Sequence, residues 1–319
     1  MRHLLGRFRW DLALLGVAAV WGLTFITVKD ATAIYPTLQF LAWRFAIAVV
    51  AFVALFPRSI LRFDRRTVVV GGIAGALMAV AYVAQTWGLH IMTHNASSRA
   101  GFITGMFVVI TPVLQVFVMR RPPRALTLVG VVMGTVGLWL LAADGSVGWS
   151  VADTLVLSCA FTYSLQLIVI AKWAKGIDIA ALTLMQLLVG VVGCAVAGLL
   201  LERPTLPTGW PLWGALLLTG VLATAVAFWV QTSALRHLSP TRTALILIGE
   251  PVFAGIFGVA LRGERLSEAG WAGSALILGG MLTAEVLGPW MAERRAPARE
   301  VADEAVTESA PAEAEGAEG

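Results

Sequence analysis

Long apolar runs dominate this chain, and short polar connections separate them. Each run is long enough to cross a hydrocarbon core of about 30 Å as a helix that rises about 1.5 Å per residue. Membrane β-strands would instead show a weak alternation of apolar and polar residues. The pattern therefore predicts ten membrane-spanning helices, over residues 11–28, 38–56, 67–89, 97–118, 126–142, 151–171, 180–201, 210–234, 241–261 and 270–288.

The composition supports this interpretation. Of the 319 residues, 58% are hydrophobic and 13% are charged, and the mean hydropathy is +0.83. Soluble globular chains have about 45–50% apolar and about 25% charged residues. This composition excludes a soluble enzyme and predicts an all-α polytopic membrane protein.

Lysine and arginine are concentrated in every second connection. With the amino terminus in the cytoplasm, 17 of them fall on the cytoplasmic side and five on the outside, while Arg44 lies within the second run. Cytoplasmic loops carry such an excess. We therefore expect a protein of the inner cell membrane with both termini in the cytoplasm. Because the positive charge follows the topology, we expect no nucleic-acid partner.

The two termini differ in charge. Residues 1–10 form a basic leader, and no small-residue cleavage site follows it, so we predict a retained first helix. Eight of the 19 acidic residues lie between Glu293 and Glu318. Residues 292–319 contain too few apolar side chains to fold by themselves, which predicts a disordered acidic cytoplasmic tail.

The two halves of the chain resemble each other. Pro112 in the fourth run and Pro251 in the ninth lie 139 residues apart. An odd number of helices per half would invert the second half, as in many secondary transporters. The pattern predicts two inverted five-helix repeats, at 11–142 and 151–288. Both prolines should bend their helices, and interrupted helices at matching positions point to a binding site at the membrane midplane. Kinks that serve only packing are the alternative.

The fifth and tenth runs share a set of glycines. Gly130 and Gly137 recur as Gly273 and Gly280, again at a constant offset. Small residues let membrane helices approach closely. We expect these two helices to pack at the periphery, where they could face a second copy in a homo-oligomer.

Polar side chains recur at helical spacing on several other runs. Such faces turn away from lipid, because an unpaired polar group in hydrocarbon is costly. Together they predict a polar cavity, although any one residue could simply bond a neighbouring helix. The candidate pathway residues are Trp21, Thr24, Tyr82, Gln85, Thr104, Thr111, Ser158, Thr162, Tyr163, Gln166 and Gln231.

Two charged residues, Arg44 and Glu250, lie well away from the ends of predicted spans. Glu250 could carry a proton, because burial favours the neutral form of a carboxyl, or it could meet a cationic substrate group. Alternatively it caps backbone groups near Pro251 or pairs with a basic residue such as Arg44. Arg44 could bind a carboxylate, but we expect it to extend outward and anchor its helix.

No motif for catalysis or metal binding accompanies these residues. The chain contains no G-x-x-x-x-G-K-[ST], H-E-x-x-H or G-x-S-x-G. Cys159 and Cys194 lie in apolar runs without a nearby histidine or second cysteine, which predicts neither a disulfide nor a metal site. We expect no catalytic residue, metal or cofactor.

Five motifs follow one another along residues 11–290. They are Trp21-Gly22-x-x-Phe25, Arg44-Phe45, Ala100-Gly101-Phe102-Ile103-Thr104-Gly105 with Pro112, Gly249-Glu250-Pro251, and Gly263-Glu264-Arg265-Leu266. In this order they resemble the drug/metabolite transporter superfamily, in its ten-helix branch with two EamA-type domains. The chain departs from that pattern at Arg120-Arg121-Pro122-Pro123, where the family often has Gly-Glu, and its second half lacks a clear counterpart of the first motif.

The resemblance implies a permease for a small metabolite, often an exporter of amino acids or related compounds. It also implies a central cavity lined by helices 1–4 and 6–9. We expect alternating access, with a proton or a counter-substrate as a further partner and a drug-like compound as another possible substrate. The alternative is a non-transporting receptor or assembly subunit that docks partners through the acidic tail.

Overall fold

The structure is a computed structural model that describes residues 2–119, 125–142, 148–234, 246–247 and 249–283. Within these ranges the chain forms helices joined by short connections, and no β-strand occurs. Seven helical segments in the described ranges are long and apolar enough to span a membrane. They are Arg9–Ile34, Thr37–Leu55, Arg65–Ile91, Ala96–Val118, Val151–Ile170, Ile179–Leu201 and Trp210–Gln231. The predicted class, an all-α multi-pass membrane protein, is confirmed.

In the first half of the chain, a 3₁₀ turn at Pro57–Arg62 connects two of the helices. The helices of this half are α1 (Arg2–Ile34), α2 (Thr37–Leu55), α3 (Arg65–Ile91), α4 (Ala96–Gly105), α5 (Phe107–Met119) and α6 (Ala125–Ala142).

The second half contains a π-helical segment, Leu218–Val226. Its α-helices are α7 (Val151–Trp173), α8 (Ile179–Leu201), α9 (Trp210–Leu217), α10 (Ala227–Ala234), α11 (Gly249–Arg262) and α12 (Glu268–Leu282).

The observed helices follow the predicted runs with some subdivision. The fourth run is divided into α4 and α5 by a turn at Met106, and the eighth contains α9, the π segment and α10. The fifth run matches α6, and the described parts of the ninth and tenth runs lie in α11 and α12. None of these three helices is among the seven long spans, so the count of ten remains a prediction. α1 begins at Arg2 and includes most of the predicted leader. The predicted tail at 292–319 lies outside the described residues.

Polar residues at helix starts explain several boundaries. Ser150 precedes α7 and forms a capping box, in which its hydroxyl accepts from the Asp153 N–H and the Asp153 carboxylate accepts from the Ser150 N–H. Asp178 caps α8 by accepting from the Ala181 N–H at 3.0 Å. Ser267 caps α12 in the same way, through the Gly270 N–H. These caps satisfy amides that have no partner within their own helix.

The glycine-rich helices α6 and α12 pack against each other. A Cβ added at Gly137 would lie 2.6 Å from the Gly273 carbonyl oxygen, and one added at Gly280 would lie 2.6 Å from the Gly130 carbonyl oxygen. These four glycines therefore serve the contact between the two helices within one chain.

Among the other helices, α3 packs on α7 and α8. α2 packs on α8 and on the π segment, while α11 packs on α1 and α4. Large apolar side chains on the outside, such as Val192 and Leu200, are exposed, as expected for a surface that faces lipid rather than water. This arrangement brings helices from both halves of the chain around one central region.

Candidate functional site

A small cavity of about 50 Å³ lies at the centre of the bundle. Helices from both halves of the chain contribute to its wall, whereas none of the lining residues comes from α6 or α12. Residues that line it are Trp21, Thr24, Phe25, Arg44, Ala81, Tyr82, Gln85, Thr104, Phe107, Cys159, Tyr163, Phe228 and Glu250. An apolar shell with a few converging polar groups is typical of a small-molecule site.

Close packing of α11 against α1 and α4 positions Glu250. A Cβ at Gly22 would lie 2.6 Å from the Phe253 Cβ, and one at Gly101 would lie 2.5 Å from the Ala254 Cβ. Only glycine permits these approaches, since a Cβ contact under 3.0 Å requires something to shift. Glu250 precedes Ala254 by about one turn, so the contact directs its side chain into the cavity.

The Glu250 carboxyl is buried, with 6% of the residue exposed. No hydrogen bond or ion pair joins it to another residue in the described ranges. Lys29 instead donates to the Leu89, His90 and Met92 carbonyls, and Arg99 pairs with Asp153. In the described ranges, therefore, none of the basic residues Lys29, Arg44 and Arg99 pairs with Glu250.

Arg44 also extends into this cavity and not toward the bundle surface. It is 3% exposed, its Nε donates to the Thr224 hydroxyl at 3.0 Å, and its guanidinium lies 4.6 Å from the centre of the Tyr82 ring. The expectation that Arg44 extends outward as an anchor is wrong, because Tyr82 and Thr224 hold its head group inside the protein.

The π-helical segment supplies two of the contacts that shape the wall. The Thr224 hydroxyl donates to the Thr219 carbonyl five residues earlier, at 2.8 Å. The Trp21 indole N–H donates to the Ala223 carbonyl at 2.8 Å, and its ring lies 5.9 Å from that of Phe228. π-helical turns often occur at functional sites, and this one orients both Trp21 and Arg44.

Two further side-chain pairs complete the polar part of the site. Gln85 on α3 donates to the Thr104 hydroxyl on α4 at 3.1 Å. Gln231 on α10 donates to the Tyr163 hydroxyl at 3.0 Å, and the Tyr163 ring lies 5.1 Å from that of Phe107. Each pair joins two helices of the wall.

The structure separates the predicted pathway residues into two groups. Trp21, Thr24, Tyr82, Gln85, Thr104, Tyr163 and Glu250 line the cavity, and Gln231 bonds to Tyr163 behind it. Thr111, Ser158 and Thr162 donate to carbonyls of their own helices, while Gln166 bonds to Gln186 on α8.

Both predicted helix-bending prolines lie in helices. The backbone at Pro112 is helical within α5, and its side chain lies outside the described residues. Pro251 is buried at the start of α11 beside Gly101. The turn that divides the fourth run lies at Met106, six residues before Pro112, so that proline does not itself mark the division.

Sequence reasoning did not select several residues of the wall. Phe25, Phe107 and Phe228 supply its aromatic part, while Ala81 and Cys159 supply small surfaces. Apolar residues of membrane helices carry no sequence signal that separates a cavity wall from a packed core. Helical spacing from Tyr82 and Gln85 could have placed Ala81 on the same face.

Other clefts and clusters lack the features of this site. Clefts of about 230, 380 and 310 Å³ lie at the ends of the bundle, around His94, Arg58 and His90. In the described part of the chain, no group of three or more His, Cys, Asp or Glu side chains is arranged to hold a metal ion.

Known proteins with similar sequences are transporters without an assigned substrate. An uncharacterized transporter of Archaeoglobus fulgidus is 30% identical over 269 residues, which cover 84% of this chain and 83% of that protein. The uncharacterized transporter YwfM of Bacillus subtilis is 26% identical over 184 residues, which cover 56% of this chain and 60% of that protein.

A solved structure, described only as the crystal structure of a protein, shares the fold. It superposes with a TM-score of 0.67 at 20% identity and covers 89% of this chain and 99% of its own. The sequence pattern of the EamA-like transporter family matches residues 8–143 and again residues 150–284. These matches cover most of the sequence and agree with the resemblance carried by its motifs, and the chain belongs to the EamA-like transporter family.

Proposed function

We propose that this protein is a secondary transporter that exports a small metabolite across the inner membrane by alternating access. The observation that carries the proposal is the central cavity, which combines an aromatic wall with the buried side chains of Arg44 and Glu250. The proposed substrate is an amino acid or a related compound. A drug-like molecule of similar size is a further proposed substrate. Transport involves no covalent chemistry on the substrate.

The proposed architecture has ten spans in two inverted five-helix repeats, at 11–142 and 151–288. Two separate matches of the family pattern, at 8–143 and 150–284, support this division. The shared lining of the cavity also supports it, because both halves contribute side chains. In this topology the excess of basic residues places both termini in the cytoplasm.

The size of the cavity favours a carrier over an open channel. About 50 Å³ is room for a few water molecules but not for an amino acid. Helices must therefore move apart to admit a substrate and close again to enclose it. Rocking of two repeats around a central site would open the cavity to each side in turn.

Glu250 is the proposed proton carrier. Its carboxyl is enclosed by protein and has no cationic partner in the described part of the chain. Such a group can exchange a proton with the cavity each time the cavity opens, and a proton bound on one side is released on the other. Ionisable residues inside membrane spans commonly serve as proton relays.

Replacing Glu250 by glutamine tests this role. In proteoliposomes, Glu250→Gln should abolish transport driven by a pH gradient while it preserves counterflow exchange, because the cavity keeps its shape but loses its titratable group. Glu268→Gln is the matched control, since Glu268 is exposed at the start of α12. Unchanged proton-driven transport in Glu250→Gln would remove Glu250 from the coupling step.

Deleting the acidic tail separates the transporter from the docking alternative. A transporter that lacks residues 293–319 should keep its rate, because the cavity lies entirely within the helical body. A receptor or assembly subunit should instead lose its partner. Transport by the truncated chain and partner capture from solubilised membranes would be measured on the same preparation.

A further inference from the structure

Two arginines in the described part of the chain, Arg44 and Arg99, are buried. Arg99 donates from Nε to one oxygen of the Asp153 carboxylate at 2.6 Å and from Nη2 to the other at 3.0 Å. It is a structural arginine, since the pair ties α4 to the start of α7. A buried charge is normally neutralised in this way, because an isolated one is costly.

Arg44 is equally buried but has no such partner. Only its Nε donates to protein, to the Thr224 hydroxyl at 3.0 Å, and neither Nη bonds to any described residue. The structure also shows no ion pair between Arg44 and Glu250, although both line the cavity. The two Nη groups of Arg44, which form the terminal fork of its guanidinium, are therefore left to bind a ligand that enters the cavity.

The plane of the Arg44 guanidinium is fixed before any ligand arrives. The Thr224 hydroxyl accepts from Nε and donates to the Thr219 carbonyl, which leaves it no freedom to rotate. The Tyr82 ring lies 4.6 Å from the guanidinium carbon, where cation–π attraction holds the group against the ring face. A fork held from two sides loses little entropy when it binds a ligand.

Two parallel N–H donors of a guanidinium match the two oxygens of a carboxylate. A phosphate group would also accept from the fork, but it carries more negative charge and would approach Glu250 in the same cavity. A carboxylate adds a single charge, which Arg44 neutralises. The aromatic side chains of Trp21, Phe107 and Phe228 can then cover the apolar part of the ligand.

We propose that Arg44 binds the carboxylate of the transported compound, so that a free carboxylate is required for recognition and Thr224 and Tyr82 position the guanidinium. This assignment rests on the proposed function, because it names the chemical group that the same cavity selects. It makes Arg44 a specificity-determining residue and Thr224 a positioning residue.

Paired probes test the carboxylate requirement directly. Purified protein in detergent is titrated at pH 7 with acetate, benzoate, L-leucine and L-phenylalanine, and in parallel with the corresponding amides. Tryptophan fluorescence reports binding, because Trp21 lies in the cavity wall. At least one acid should bind, and its amide should bind at least about tenfold more weakly, because a neutral amide cannot accept a charge-assisted hydrogen bond from the guanidinium. Equal binding of acids and amides, or no binding of any acid, overturns the proposal.

Variants of the fork test whether Arg44 is the residue responsible. Arg44→Lys keeps the charge but not the paired donors, and it should weaken acid binding at least about tenfold. Thr224→Val retains Arg44 and should give a smaller loss, which keeps the test valid if substitution of Arg44 prevents folding. Arg203→Gln is the control, because Arg203 is exposed outside the cavity. Unchanged acid binding in both Arg44→Lys and Thr224→Val overturns the assignment.

The same preparations separate this inference from the proposed function. Acid-selective binding without any transport in proteoliposomes would refute the transporter and leave the carboxylate site standing. Proton-driven transport that depends on Glu250 but treats acids and amides alike would refute the carboxylate site and leave the transporter standing.

Discussion

At the end of the bundle where α3, α8 and α11 end, two carboxylates cap the first turns of distant helices, whereas at the opposite end each capping carboxylate binds the first turn of its own helix. We call these the Glu264 end and the Asp178 end. The Glu264 carboxylate, which follows α11, accepts from the Ser97 and Ser98 N–H groups at 2.9 Å each and from the Ser98 hydroxyl at 2.6 Å. It caps α4 from about 170 residues away in the sequence.

A second carboxylate at the Glu264 end acts in the same way. Glu202 follows α8 and accepts from the Leu38 and Gln39 N–H groups at 3.0 Å each. It thereby caps α2 from more than 160 residues away. At the same end, the buried Arg99–Asp153 pair ties α4 to α7.

In the described ranges, the Asp178 end has local caps and exposed contacts between helices, in which Arg66 donates to the Trp173 carbonyl at 3.1 Å and Lys172 donates to the Val118 carbonyl at 3.2 Å. Asp64 caps α3 and Asp178 caps α8, each through an N–H group three residues along the chain. An ion pair also joins Arg62, at the end of the 3₁₀ turn, to Asp178 at 2.5 Å, and 57% of the Arg62 side chain is exposed. Water and salt weaken such a pair.

The difference indicates which end of the bundle opens more easily. Contacts that join separate helices through buried or part-buried charged groups must break before those helices move apart, and they are concentrated at the Glu264 end. Caps within a single helix move with that helix and do not resist separation. We therefore expect the cavity to open first toward the Asp178 end, which the proposed topology places in the cytoplasm.

The largest effect is expected from breaking the buried pair at the Glu264 end. Arg99→Ala leaves the Asp153 carboxylate buried without its cation, so the free energy of unfolding should fall by about 3–5 kcal/mol. SDS titration of the protein in mixed micelles measures this change. The double variant Arg99→Met with Asp153→Asn should recover part of the loss, and a cost below about 1 kcal/mol for Arg99→Ala would show that the pair does not hold the helices.

A smaller effect is expected from weakening the cap on α4. Glu264→Gln keeps the size of the side chain but loses charge-assisted hydrogen bonds, which should lower the free energy of unfolding by about 1–3 kcal/mol. It should also open the Glu264 end. Labelling of the native Cys159, which lines the cavity, by a membrane-impermeant maleimide added from that side should become faster. The control is Glu268→Gln, and equal labelling rates in both variants would contradict the assigned difference between the ends.

The smallest effect is expected at Asp178. Partial burial raises the pKa of its carboxyl, but hydrogen bonds from the Ala181 N–H and from Arg62 outweigh burial, so the pKa lies below its ordinary value. The stabilisation is therefore present above the ordinary pKa of about 3.9 and is lost as pH falls through the folded-state value. Asp178→Asn retains the helix cap and should cost at most about 1 kcal/mol at pH 7.

Measuring the free energy of unfolding as a function of pH checks the direction of this pKa shift. Between pH 6 and pH 3, the difference in unfolding free energy between the wild type and Asp178→Asn should shrink toward zero. A difference that grows as the solution becomes more acidic would mean that the carboxylate is not stabilised in the folded protein.

Much of the fold could be predicted because lipid imposes a strong rule on sequence. A helix that spans the bilayer must be apolar over its length, so the helices from α1 to α5 and from α7 to α10 appear in the sequence as long runs. Glu250 was also visible, because a carboxylate within such a run is rare.

The rest of the site depended on contacts between distant segments. Arg44 extends inward because Thr224 and Tyr82 receive it, and these residues are 180 and 38 positions away in the sequence. The π-helical segment that brings Thr224 to this point has no signature in composition. Thr111, Ser158 and Thr162 satisfied the same helical spacing as the cavity residues, but their hydroxyls bond within their own helices.

The sequence alone determined that this protein lies in the membrane as a bundle of helices and that a few polar groups must lie inside it, because hydrocarbon tolerates neither open backbone nor isolated charge. It also determined the family, through the order of short motifs from Trp21 to Leu266. The tertiary structure decided which polar groups share one cavity, which arginine is neutralised and which is left with a free fork. It also decided which end of the bundle is tied across helices. The physical reason is that helical periodicity determines which residues share a face, whereas only packing against other helices determines what that face meets.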